Sequence, residues 1–329
     1  MNTMASPIQN HRRTFGSVQF LPVNLFASVM GISGLSSAWG QASKLFGTSP
    51  AIADLIGIVA IIMFIALSIG YIYKWIRYPQ NVVSEFRHPI IGNFFGTITI
   101  SILLLSTVIG TYSQALGQAA WIIGTATTLL LSFVFVSRLF NGNQEPGNAV
   151  PPLLIPGVAT LDVAVAGGTM PFTWAHEVNL LCLAIGGIIA LVFFIMIVSR
   201  LVHKEPLPVG LMPSMMIMTA PFEVGFLGYT NVMQRIDGFS AILFYFGLFL
   251  FVVMFFKVFK KSVPFGASWW AVSFPMAALS NAALKYAMFV HSWLLITIAA
   301  VILALLSVVL IILFIRTLNM LFNGKLLKG

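Results

Sequence analysis

Long apolar runs alternate with short polar breaks along the whole chain, and a helix needs about 20 apolar residues to cross a bilayer. Runs of that kind lie near residues 20 to 39, 52 to 74, 89 to 110, 115 to 138, 152 to 170, 177 to 200, 210 to 231, 238 to 257, 267 to 288 and 291 to 317. The pattern predicts an all-α integral membrane protein with ten transmembrane helices.

The odd and even runs differ in kind. Prolines inside or opening a run fall in the odd ones: Pro22, Pro89, Pro152, Pro156, Pro213, Pro221 and Pro275. The odd runs also collect Gly, Ser, Thr, Asn and the few buried charges, whereas FSAILFYFGLFLFVVMFF and LLITIAAVILALLSVVLIILFI in the eighth and tenth are nearly pure hydrocarbon. A uniformly apolar helix is content against lipid, but one interrupted by proline needs neighbours to satisfy freed backbone groups. Odd helices are therefore expected inside and even ones outside.

The odd runs begin at Pro22, Pro89, Pro152, Pro213 and about Trp269, a recurrence that reads as five consecutive helical hairpins. Five hairpins, each giving one inner and one outer helix, close into a quasi-fivefold ring whose axis would be a pore. The ninth run, WWAVSFPMAALSNAALKY, reads as pore-lining, with Phe274, Pro275 and Lys285 in a segment otherwise rich in small side chains.

Composition fixes the class: 59% of residues are hydrophobic, 8% are charged, and the mean hydropathy is +0.99. Of the 17 Lys and Arg residues, Lys44 and Arg235 fall on one side of the predicted membrane, Lys285 lies within a span, and the other fourteen fall on the opposite side. That bias places both termini in the cytoplasm, across a cell membrane spanned an even number of times. The domain reading is a tail over 1–19, a ten-helix channel domain over 20–317 and a tail over 318–329. The first span serves as the targeting signal, because the N-terminal residues lack the apolar core and cleavage site of a signal peptide. The net charge of +9 reflects the loop bias and is not read as nucleic-acid binding. Cys182 stands alone in an apolar run, which gives it a packing role.

Five segments resemble the tellurite-resistance and dicarboxylate transporter family, which includes bacterial TehA and the plant guard-cell slow anion channels. They are LPVNLFASVMGISGLSSAW from Leu21, EFRHPIIGNFF from Glu85, PPLLIPGVA from Pro151, TAPFEVGFLGY from Thr219 and WWAVSFPMAALSNAALKYA from Trp269. Together they touch all five odd helices in the expected order. The resemblance implies a homotrimer with one pore per protomer, small inorganic or organic anions as the transported species, and no cofactor. It also implies that Phe274, beside Pro275, is the phenylalanine that occludes the pore; otherwise it is one of 29 phenylalanines filling core. Ala27, Gly31, Phe94, Phe95, Gly157 and Phe222 are further lining candidates at comparable depth, small residues there serving equally for close helix packing. The family has a glycine where Ala27 stands, a departure that narrows the conduit. Tail phosphorylation, used by plant relatives, is not expected of tails this short.

Asp162, Glu223 and Lys285 lie within predicted spans, where each costs about 2.5–3.5 kcal/mol at the bilayer centre. They form either a substrate or proton relay, or an internal network in which Lys285 offsets Glu223 or Asp162. His176 and Glu177 are followed by Leu180 where a zinc protease would carry its second histidine, so no metal site is read there. With no GxSxG, Walker or GxGxxG signature, an enzyme is not expected. The reading is an anion channel for chloride or nitrate; the alternative is a proton-coupled carrier of dicarboxylates or oxyanions such as tellurite.

Overall fold

A computed structural model of the chain describes residues 17–142, 145–260 and 262–327. Four of the fourteen same-side charges, Arg12, Arg13, Lys261 and Lys328, lie outside the described residues, as does most of the 1–19 tail. The α-helices are α1 (Phe26–Phe46), α2 (Pro50–Arg77), α3 (Pro79–Arg87), α4 (Gly96–Gly110), α5 (Gln114–Phe140), α6 (Ile155–Gly167), α7 (Ala175–His203), α8 (Ala220–Met233), α9 (Gly238–Val258), α10 (Ser273–Val290) and α11 (Trp293–Phe322). No strand occurs among the described residues. Seven helical segments there are long and apolar enough to cross a membrane: α2, α4 with its preceding turn, α5, α7, α8 with its preceding run, α9 and α11. The protein is therefore a membrane protein. α11 continues to Phe322, past the boundary read at 317.

Burial separates two classes of helix. In α6, 12 of 13 residues are buried, and in α10, 14 of 18. In α2 only 4 of 28 are buried, and in α11, 8 of 30. The exposed faces of the outer helices carry Ile62, Ile69, Ile188, Ile242 and Val301, side chains suited to lipid. Each inner helix packs on the outer helix that follows it: α1 on α2, α4 on α5, α6 on α7, α8 on α9 and α10 on α11. The inner helices also pack on one another in sequence, α1 on α4, α4 on α6, α6 on α8 and α8 on α10, and α10 closes on α1.

Each inner helix is entered through a 3₁₀ run: Val23–Leu25, Ile91–Phe95, Pro151–Leu154, Val209–Thr219 and Ala267–Val272. The prolines explain where these runs end. Pro156 and Pro221 are second residues, and Pro275 third, in α6, α8 and α10, where an α-helix leaves its N–H groups without internal partners. The prolines that interrupt these odd runs thus mark the change from 3₁₀ to α. Proline is also not confined to odd members, since Pro50 is the first residue of α2. α6 is short, but with its 3₁₀ turn it reaches about 28 Å, close to the ~30 Å hydrocarbon thickness.

The seam between α1 and α10 depends on small residues. Ser273 Oγ donates to the Ala27 carbonyl at 2.9 Å and to the Trp270 carbonyl at 2.7 Å. A side chain at Gly31 would fall on the Ser273 side chain. A Gly31→Val variant is expected to lose about 1–3 kcal/mol from overpacking. Thermal unfolding of the purified protein checks this, and an unchanged midpoint would mean that the seam yields without cost.

The apolar constriction and a polar end

The five inner segments converge on one small cavity. Its lining comes from α1 (Ala27, Met30), the third segment (Phe94, Thr97, Ile100), the fifth (Ile155, Val158), the seventh (Ile217, Ala220) and the ninth (Trp270, Ala271, Phe274, Pro275). Its volume is about 20 Å³, room for roughly one water molecule. It cannot admit a hydrated ion. Only Thr97 and Trp270 bring polar side-chain atoms to the lining, and both donate elsewhere. Thr97 bonds the Phe94 carbonyl at 2.6 Å, and Trp270 Nε1 bonds Thr317 Oγ1 at 2.9 Å. Phe274 is 6% exposed, and its ring bounds this space from the first turn of α10.

Of the residues singled out in the sequence, Ala27, Phe94, Phe274 and Pro275 meet at this cavity. The others do not. Gly31 faces Ser273, and Gly157 lies against the backbone of Ala190 in α7. Phe95 turns to Tyr71 and Phe86, with ring centroids 6.0 and 5.0 Å away. Phe222 packs edge-on against Phe194 and Phe246 of the outer helices, at 5.1 and 4.6 Å. Of the lining residues that went unremarked, Met30 and Thr97 were detectable as i+3 neighbours of Ala27 and Phe94, whereas Ile100, Val158 and Ala220 follow positions that the sequence did not single out.

The three buried charges do not form one network. Lys285 Nζ donates to Asn231 Oδ1 at 2.5 Å, and Asn231 Nδ2 donates to the Val165 carbonyl at 2.7 Å. The ion pairs among the described residues are Lys74 with Glu85 and Arg235 with Asp237, so Lys285 has no acidic partner there. The expected offset by Glu223 or Asp162 is corrected by position. Glu223 lies on the face of α8 that meets α9, where Gly247 leaves room for its carboxyl group, and is eight residues, about 12 Å of helix, from Asn231. Both its carboxyl oxygens, and Oδ2 of Asp162, lack a hydrogen-bond partner among the described residues.

Lys285 belongs instead to a polar cluster at the C-terminal ends of the inner helices. Gln41 Nε2 donates to Asn281 Oδ1 at 2.6 Å, and Asn281 Nδ2 reaches the Gly34 carbonyl at 2.9 Å. Phe274, Ala278, Asn281 and Lys285 follow at helical spacing on one face of α10. The lysine is thus about 16 Å along the helix from the phenylalanine.

A family model described as "SLAC1: Voltage-dependent anion channel" matches residues 21–318, which includes every segment of the constriction. The chain belongs to this anion-channel family. The chain is 27% identical over 274 residues to the S-type anion channel SLAH2 of Arabidopsis thaliana, covering 80% of this chain and 52% of that relative. The guard cell S-type anion channel SLAC1 of the same plant is 24% identical over 290 residues, covering 81% and 50%. A tellurite resistance protein TehA homolog of Haemophilus influenzae is 26% identical over 271 residues, covering 81% of each chain. The chain thus spans about half the length of these two plant relatives and most of the bacterial one. The resemblance read from the five sequence segments is the family shown by these comparisons.

Proposed function

We propose that the chain is a channel for small monovalent anions such as chloride and nitrate, with Phe274 as its gate. In this reading, ten spans form five hairpins in quasi-fivefold arrangement, inner helices α1, α4, α6, α8 and α10 surround the conduit, and both termini are cytoplasmic. The protomer assembles as a homotrimer in the cell membrane, each copy with its own pore. The observation that carries it is the convergence of all five inner segments on an apolar cavity bounded by the Phe274 ring. An apolar constriction stops ions by sterics and by dewetting, so moving one ring is enough to open it.

Charge supports anions over cations. The α portions of the inner helices begin beside the constriction, at Phe26, Gly96, Ile155, Ala220 and Ser273, and the N-terminal end of a helix is the positive end of its dipole. Their C-terminal ends carry the opposite sign, and there Lys285 supplies a cation held by the Asn231 amide. A Lys285→Gln variant is expected to lower single-channel anion conductance about two- to fivefold at low salt and less at high salt, because a single charge is screened. An unchanged conductance at low ionic strength would remove Lys285 from the permeation path.

Recording from the purified protein in planar bilayers tests the reading. Current should reverse at the chloride or nitrate equilibrium potential and need no proton gradient. Electrically silent bilayers, together with dicarboxylate uptake into proteoliposomes only under a proton gradient, would favour the carrier, with Asp162, Glu223 and Lys285 as its candidate titratable groups.

A further inference from the structure

We propose that the groove between the ends of α5 and α7 binds one anionic phospholipid, its phosphate held by Arg200 and an acyl chain lying along Ile195 and Met196. The groove has a volume of about 450 Å³ and is lined by those residues together with Leu139, His203, Lys204 and Glu145.

Arg200 is the anchor. Its Nε and Nη1 are buried and have no hydrogen-bond partner among the described residues. A buried donor pair left open is costly, and a guanidinium edge matches a phosphate in geometry and charge. Basic residues in the last turn of a helix are commonly explained by the helix dipole. That accounts for the presence of Arg200, His203 and Lys204, but not for two buried guanidinium nitrogens left without a partner in the wall of the groove.

Depth points to a lipid. α7 is a membrane-crossing helix ending at His203, so its last turn lies where headgroups lie. Ile195 is 59% exposed and precedes Arg200 by five residues, about 7.5 Å, the step from a phosphate to the start of its acyl chains. Glu145 at the rim is exposed, so water screens its repulsion. Arg87 and Arg138 line a neighbouring cavity that shares Pro89, Leu139 and Leu153 with the groove, and they add to the positive field.

Native mass spectrometry of the full chain in a neutral detergent tests the proposal, using short-chain phosphatidylglycerol, the matching phosphatidylcholine and inorganic phosphate. One saturable phosphatidylglycerol adduct per chain is expected, with affinity at least about tenfold lower for phosphatidylcholine and in Arg200→Gln. Met196→Trp, which fills the apolar part of the groove, should also weaken the adduct and keeps the test informative if Arg200→Gln does not fold. Undiminished phosphatidylglycerol binding by a folded variant of either kind would overturn the proposal. So would equal binding of inorganic phosphate, which would make the site one for a free anion.

Discussion

Phe274→Ala is expected to raise anion conductance severalfold over the wild-type chain in voltage-clamped membranes, with a reversal potential that follows the chloride or nitrate gradient. The ring bounds a space of about 20 Å³, and the other walls of that space are aliphatic, aromatic or small. Removing it enlarges that space without introducing a charge. The variant also separates gate from core filling. A phenylalanine that only filled core would cost about 3–5 kcal/mol on truncation and leave conductance alone. Phe226 is the control: it is fully buried among Phe244 and Tyr286, away from the cavity. Phe226→Ala should lower the unfolding temperature and leave currents near the wild-type level. A silent Phe274→Ala protein that is correctly folded would remove the gate assignment.

The second large effect concerns stability. Lys74 is fully buried, donating to Glu85 Oε1 at 2.7 Å and to the Leu21 carbonyl at 2.8 Å, while the Tyr71 hydroxyl donates to Glu85 Oε2 at 2.6 Å. This cluster ties α2, α3 and the segment entering α1 together. Glu85→Ala leaves the ammonium buried without its counter-charge, a change expected to cost about 3–5 kcal/mol. Replacing both partners, Lys74→Met with Glu85→Leu, should recover most of that loss, because two apolar groups carry no desolvation penalty. Unfolding midpoints of Glu85→Ala and of the double variant check this. A double variant as unstable as Glu85→Ala would mean that the pair matters for its shape rather than its charge.

The division into inner and outer helices was legible because it depends on composition. Proline, glycine and hydroxyl residues mark the segments that need protein neighbours, and α6 and α2 bear this out at opposite extremes of burial. The direction of individual side chains was not legible. A 3₁₀ run turns about 120° per residue and an α-helix about 100°, so extrapolation across the eleven residues Val209–Thr219 drifts by roughly 220°. Phe222 lies just beyond that run, and it faces the outer helices. Phe94 and Phe95 occupy consecutive positions of another such run, and only the first meets the cavity. The Lys285 pairing failed for a different reason: opposite signs in one inner ring say nothing of height, and Glu223 is two helical turns from the asparagine that Lys285 meets. In the sequence Lys74 is only one of the fourteen same-side charges, at the end of the second run; α3 lies beside it and supplies the partner that allows its burial.

The alternation of inner and outer helices also bears on how the chain enters a membrane during synthesis. α1 and α10 are not among the segments apolar enough to cross by themselves, and the Pro151–Gly167 segment is short. Each is followed at once by a longer and greasier helix, α2, α11 or α7. A nascent chain that paused after one of the former would hold a span with little reason to leave the insertion machinery. Emergence of the next helix supplies the missing hydrophobicity, so the natural unit of insertion is the pair, and the weaker member is already beside its protein neighbour when it meets lipid.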